Sequence, residues 1–245
     1  MSKIASPGEL HALRTLITEI SISARHRRGL SKVKRDSLSR PQKINLGCGR
    51  RPKPDFLNID IFPDGDVTLD LRRALPFDSN CCDLIFSEHC FEHFEYPDQI
   101  SGLLQECLRI LNNGGELRLS VPDTEWPLND YAVGLGAPYF RACNQETWHP
   151  KYCTTRLEHI NHHFRQGAEH RYAYDFETAE KMLSIAGFVD IKRREFDESV
   201  DSKRREIGSL LMSARKPYSN EPFGFDRTSM AGKQHGADRT GLLVE

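Results

Sequence analysis

Through the middle of the chain, short apolar stretches alternate with turn-forming residues. KINLGC (43–48), FLNIDI (56–61), DVTLDL (66–71), CDLIFS (82–87) and ELRLSV (116–121) have β-branched or leucine-rich centres and polar or turn-forming flanks, the pattern of short buried strands. Between the fourth and fifth of these, Ile100, Leu103, Leu104, Cys107, Leu108 and Leu111 recur on one helical face, predicting a helix over 97–111 that ends before Gly114-Gly115. A second helix starts at Asp175, a residue suited to an N-cap, runs through Ala179, Met182, Leu183 and Ala186, and stops at Gly187. VDIKRREF and IGSLLMSARK read as two further strands. Strands alternating with helices imply an α/β fold with a mainly parallel sheet. One connection is too short for that scheme: about nine residues, 48–56, join the first two strands and include Pro52 and Pro54. A helical crossover takes a dozen residues or more, so this one is expected to be a turn or absent.

The two ends read differently from the middle. Leu10, Leu13, Leu16, Ile17 and Ile20 fall at helical spacing and are followed by the basic run RHRRGLSKVKR, so residues 1–42 are expected to form a basic helical extension suited to touching a surface. Past Lys216, Gly, Ser, Asp and Lys dominate and large apolar residues are few, so 217–245 is expected to be a disordered tail. That leaves 43–216 as the folded domain. With 245 residues, 38% of them hydrophobic, one substantial core is feasible. Balanced charge, 34 basic against 35 acidic residues, gives the whole chain no electrostatic reason to seek nucleic acid, and no such partner is expected. Seven cysteines without a C-x-x-C pair suggest neither a disulfide framework nor a zinc ribbon. No apolar run suits a signal peptide or a membrane span, so the expected location is cytoplasmic.

Chemistry enters at Ile44-Asn45-Leu46-Gly47-Cys48-Gly49, a strand running into a G-x-G turn, where a cofactor can approach bare backbone. A dinucleotide fingerprint would need a third glycine where Pro52 stands, a helix start for the pyrophosphate, and an acid later than Asp60. A cofactor without phosphate fits better. A carboxylate ending the second strand, Asp60, can accept two ribose hydroxyls at once, and Asp70 ends the third strand.

Taken in order, INLGCG, LNIDI, DLRRALPFDSNCCDLIFSEHCFEHF, LLQECLRILNNGGELRLSVPD and HRYAYDFETAEKMLSIAGF resemble the class I S-adenosylmethionine-dependent methyltransferases. Within them the chain looks most like an uncharacterised group often met among surface-polysaccharide and small-molecule biosynthesis genes. The resemblance covers roughly residues 43–216. It implies a Rossmann-like, mainly parallel seven-stranded sheet whose last strand is antiparallel. It also implies S-adenosyl-L-methionine as cofactor, contacted by Leu46, Gly47, Cys48, Gly49, Asp60, Ile61, Asp70, Leu71 and Glu88, with Asp60 at the ribose and Asp70-Leu71 at the adenine. The shortened first crossover departs from the wider class.

The string SEHCFEHF contains His89, Glu92 and His93 at the H-x-x-E-H spacing of a zinc peptidase signature, and helical spacing would put all three on one face. The motif falls instead at the carboxyl end of the fourth strand, where open α/β sheets bind ligands, and this disfavours the peptidase. Three roles stay open. The E-H pair can be pocket wall and helix cap. His89 or His93 can be a general base, with Glu88 in reserve, because an imidazole can take a hydroxyl proton near neutral pH. Glu92 and His93 can hold a divalent metal with a downstream histidine, although a site without metal is the first choice. Downstream, EHINHHFRQGAEH gathers Glu158, His159, His162, His163 and His170, with His159 and His163 spaced to share a helical face; a solvated lid face is the simpler expectation. Residues 123–174, carrying Trp126, Tyr131, Tyr139, Phe140, Trp148, Tyr152 and Tyr172, read as a substrate-specifying insertion suited to a sugar or other small hydroxylated ring. Glu88-His89-Cys90-Phe91 stands where amino-group methyltransferases carry N-P-P-Y, which favours an oxygen acceptor. A non-catalytic S-adenosylmethionine-binding domain is the competing function.

Overall fold

The computed structural model describes residues 6–218. Seven strands form one sheet in the order β3-β2-β1-β4-β5-β7-β6. They are β1 (Lys43–Leu46), β2 (Leu57–Asp60), β3 (Val67–Thr68), β4 (Cys82–Glu88), β5 (Leu111–Pro122), β6 (Val189–Arg193) and β7 (Ser209–Arg215). The first five pair in parallel, while β7 runs antiparallel to both β5 and β6. The predicted α/β architecture with an antiparallel last strand is therefore present. The chain reverses its winding direction between β1 and β4, so the crevice above their carboxyl ends is the switch point at which open α/β sheets bind ligands.

Strand centres bury β-branched and leucine side chains: Ile44, Leu46, Ile59, Ile85 and Leu117 are all buried. α2 (Asp98–Ile110) buries Ile100, Leu103, Leu104 and Cys107 of the stripe read from the sequence, with Ile110 added and Leu108 only half-buried, and packs against α6 (Phe176–Ala186). Full burial of each such aliphatic side chain is worth about 1.5–3 kcal/mol. The two helix ends of α6 follow their local chemistry. Asp175 accepts the Thr178 N–H at 2.8 Å, and Gly187 closes the helix at φ +104°.

Three expectations change and one holds. α2 ends at Ile110, and β5 begins at Leu111, five residues earlier than the alternation suggested, because Leu111 already pairs with Cys82. The expectation that holds is the connection between β1 and β2, which is helix-free, as its prolines required, and packs its own residues against β4. Phe56 packs edge-on to Phe86, and the Lys53 ammonium lies over the Phe86 ring at 4.5 Å. The Lys53 ammonium also donates to the Val200 carbonyl in the β6–β7 connection. His89, Glu92 and His93 do not share an α-helical face. His89 takes φ +49° directly after β4, and Phe91–His93 is a single 3₁₀ turn. Glu158 is a helix cap rather than a partner of the histidines: it forms a capping box with Thr155 at the start of α5 (Arg156–Arg165).

The insertion after β5 builds three helices, α3 (Glu125–Tyr131), α4 (Pro138–Gln145) and α5, closed at its base by a parallel bridge between Asp123 and Tyr174. It has a small core of its own, with Ala137, Tyr139, Phe140 and Cys143 buried and Trp126 and Trp148 packed on them. The N-terminal extension is one helix, α1 (Pro7–Arg35). Its second half docks near β3, with Val33 buried and the Asp70 N–H donated to His26 Nδ1. Its first half exposes Leu10, Leu13, Leu16, Ile17 and Ile20. The tail read as disordered lies, beyond Tyr218, outside the described residues.

Candidate functional site

At the carboxyl end of β1 the chain turns through Gly47 and Gly49, both at positive φ, +67° and +51°. A Cβ on Gly47 would lie 2.3 Å from Cys90 Sγ, so the turn is pressed against the segment after β4 and only glycine fits. At Gly49 a Cβ would meet nothing within 4 Å, which leaves its backbone open to a ligand. Leu46 and Cys48 are buried, and the Gly47 and Cys48 N–H groups both reach the Ile59 carbonyl.

Asp60 closes β2 beside this turn. One carboxylate oxygen accepts the Gly49 N–H at 2.7 Å and the other accepts the Phe62 N–H at 2.9 Å. Each oxygen keeps a second lone-pair direction, so the group can still accept two hydroxyls while fixing the loop. Ile61 follows it, half-buried. Asp70 is differently placed. It is 2% exposed, and its oxygens take N–H groups from Arg72 and Arg73, while Arg72 also pairs with Glu19 of α1. An adenine contact at this end therefore has to come from the Asp70-Leu71 backbone, or the guanidinium groups have to give way. Burial works against ionising Asp70, but the Arg72 hydrogen bonds hold its acid below the ordinary range.

Beyond β4 the side chains diverge. Glu88 accepts the Ser202 N–H at 2.9 Å on one oxygen and faces Arg51 at 3.4 Å on the other. Burial opposes its ionisation, yet the Ser202 bond and the Lys53 charge keep it a carboxylate, already engaged on both sides. His89 points into a cavity of about 1140 Å³ walled by Tyr139, Trp148, His163, His170, Arg205 and Ser209, among others. Its Nδ1 lies 3.3 Å from Glu92 and its Nε2 2.8 Å from the Ser209 hydroxyl. Burial pushes the His89 pKa down, which keeps the imidazole neutral. With the Nδ1 proton given to Glu92, Nε2 is left as the acceptor and the basic atom. A non-glycine residue at φ +49° is strained, and such strain persists where surrounding contacts over-determine it.

His93 does not line this cavity. Its Nδ1 faces the Glu169 carbonyl at 3.0 Å, and its ring lies 5.2 Å from that of His170. Glu92, His93 and His170 bring ligand atoms within 4.8 Å of one another, and Glu92 Oε2 is buried without a hydrogen-bond partner among the described residues. Ser209 was not foreseen: a serine opening a strand carries no sequence signal, and it lies 120 positions from its histidine partner. Arg205 was missed for the same reason. Burial lowers its pKa to about 10, and its Nε has no partner.

The strand order, the glycine turn after β1 and the acid after β2 together define a class I S-adenosylmethionine-dependent methyltransferase-like fold. A methyltransferase domain family model matches residues 55–119, the stretch from the end of the first connection into β5. A search of curated proteins finds no match. Among solved structures the chain is similar to a SAM-dependent methyltransferase from Archaeoglobus fulgidus, at 14% identity and a TM-score of 0.41 over 78% of this chain and 94% of that one. It is also similar to the YcgJ protein of Bacillus subtilis, at 13% identity and a TM-score of 0.42 over 78% and 99% of the two chains. A third similarity is to a chain in the complex between the Haloferax volcanii Trm112 methyltransferase activator and a methyltransferase, at 14% identity and a TM-score of 0.44 over 80% and 94%.

Proposed function

We propose that this chain transfers the methyl group of S-adenosyl-L-methionine to an oxygen of a small hydroxylated or sugar-like acceptor. The observation that supports this reading best is His89, held between Glu92 and Ser209 on the wall of the cavity at the carboxyl end of β4. The cofactor would lie along Leu46, Gly47, Cys48 and Gly49, with its ribose on Asp60 and its adenine beside Ile61 and the Asp70-Leu71 turn. The open approach at Gly49 and the spare lone pairs of Asp60 fit that group. When bound, the sulfonium supplies an already activated methyl group, so alignment is the main requirement.

The chain's own residues supply position and proton transfer. An acceptor hydroxyl placed in this cavity would give its proton to His89 Nε2, directly or through the Ser209 hydroxyl, as its oxygen takes the methyl group. Glu92 fixes the imidazole and stabilises the imidazolium that forms. His93 lies outside the cavity and Glu88 is already paired, so His89 is the leading base of the three.

A second reading has a specific observation behind it. Glu92, His93 and His170 could hold a divalent cation that orients an acceptor, since the buried Glu92 Oε2 has no partner otherwise. Methyl transfer from radiolabelled cofactor to a panel of hydroxylated acceptors tests both. His89→Ala is expected to slow the chemical step about 100-fold or more, with cofactor affinity unchanged. Wild-type turnover by that variant would remove His89 as the base. Loss of activity in His170→Ala together with loss on chelation would favour the cation.

A further inference from the structure

The insertion carries a second constellation, apart from the glycine turn and His89. Cys143 on α4, His149 in the loop that follows, and His159 on α5 bring one ligand atom each within 4.8 Å of one another. Cys143 and His159 are each only 1% exposed, and His149 is half-buried. His149 Nε2 lies 3.8 Å from Cys143 Sγ, and His149 Nδ1 lies 2.8 Å from His159 Nδ1. The His162 ring is 4.7 Å from that of His149, and its Nδ1 is buried with no hydrogen-bond partner among the described residues.

These facts are hard to explain as packing alone. Three imidazoles and a thiol crowd one small core that gives them few outside partners, and an orphaned buried nitrogen is costly unless something fills its place. We propose that Cys143, His149 and His159, with His162 as the fourth donor, form a zinc(II) site that ties α4, its following loop and α5 together.

The chemistry of the donor set suits that ion. One thiolate and imidazole nitrogens are the ligands zinc prefers, at about 2.3 Å to sulfur and about 2.0–2.1 Å to nitrogen. A tetrahedron with those bonds separates ligand atoms by roughly 3.3–3.6 Å. His149 can give the ion only one ring nitrogen, so the 3.8 Å contact of its Nε2 with Cys143 and the 2.8 Å contact of its Nδ1 with His159 are alternatives; either way one atom from each residue lies within 4.8 Å of the others, and side-chain shifts of about an ångström close the set to the tetrahedral spacing. The physical need is equally clear. The insertion's separate core is small, four buried residues with two tryptophans packed on them, and metal ligation is one way to brace such a unit. His149 and His162 also face the cavity, so the bound ion would set the shape of the acceptor wall.

Untagged protein, freed of metal by chelator and titrated with cobalt(II), provides the test. The proposal expects one metal per chain, a tetrahedral visible spectrum, a thiolate-to-cobalt charge-transfer band, and displacement by zinc. Cys143→Ser should abolish the charge-transfer band, and His159→Ala should weaken binding by at least ~10-fold, whereas His170→Ala should leave both unchanged. Absence of a thiolate band in the wild type overturns the proposal without any variant being needed. A band that persists in Cys143→Ser, or one lost in His170→Ala, would place the metal elsewhere and overturn it equally.

Discussion

Replacing Asp201 by alanine strikes at the contact that anchors the β6–β7 connection over the site. Arg194 and Asp201 form a two-pronged pair, with Nη1 to Oδ2 at 2.5 Å and Nη2 to Oδ1 at 2.6 Å, and their side chains are 9% and 1% exposed. Asp201 also accepts the Asp197 N–H at 2.9 Å. Removing one member of a buried pair leaves the other charged and unpaired, which costs about 3–5 kcal/mol. The low end applies here, because Arg194 Nη1 keeps a bond to the Glu195 carbonyl at 3.1 Å. At about 2–4 °C per kcal/mol for a domain of this size, the melting temperature should fall by roughly 6–12 °C. Urea unfolding of wild type, Asp201→Ala and the double variant Arg194→Met/Asp201→Leu separates the contributions. The double variant should recover most of the loss, since neither charge then stays buried. Ser202, whose N–H holds Glu88, follows Asp201 directly, so cofactor affinity should weaken in the single variant and return in the double. A loss below about 1 kcal/mol in Asp201→Ala, or a double variant less stable than the single, would show that this pair does not anchor the connection.

Other consequences are equally open to measurement. Gly47→Ala combines a positive φ with a Cβ 2.3 Å from Cys90 Sγ and should cost about 2–4 kcal/mol; an unchanged melting temperature would mean the turn is not pressed against the segment after β4. Deleting residues 1–17 should leave thermal stability nearly intact because the first half of α1 is exposed, whereas Val33→Asp should lower it clearly. In chelated protein, His89, His149, His163 and His170 all have pKa values lowered by burial, to about 3 for His149 and about 4 for His163. A histidine whose folded pKa lies below its unfolded value of about 6.5 contributes stability above that value and loses it as pH falls. Acidification from about 6.5 towards 4 should therefore loosen the insertion first, and fluorescence reports it directly because both tryptophans, Trp126 and Trp148, lie there. Fluorescence unchanged until global unfolding would refute that order.

What the sequence made legible is what local chemistry dictates. The strands, the two helices, the second with its Asp175 and Gly187 boundaries, the missing first crossover and the Gly49–Asp60 pairing of turn with acid all follow from patterns within a few tens of residues. The H-x-x-E-H spacing misled in one respect. Helical spacing presupposes a helix, and the close packing of Gly47 on Cys90 is accompanied here by a left-handed residue and a 3₁₀ turn. Contacts set by the tertiary fold were illegible. Ser209 meets His89, and Arg72 engages Asp70 and Glu19, only because distant strands and α1 converge. Cys143, His149 and His159 lie on two helices and a loop with no recurring spacing, so no ligand pattern announced them.

The central claim concerns the cofactor, and Asp60 tests it most directly. Isothermal titration of the wild type with S-adenosylmethionine, S-adenosylhomocysteine and NAD should show binding of the first two and none of the third. Asp60 also holds the Gly49 and Phe62 N–H groups, so Asp60→Asn, which keeps the shape, belongs beside Asp60→Ala. With circular dichroism showing both variants folded, alanine should lose at least ~30-fold in cofactor affinity, about 2 kcal/mol, and asparagine a similar or smaller amount. Binding of NAD without S-adenosylmethionine, or equal S-adenosylmethionine affinity in wild type and Asp60→Ala, would contradict the account.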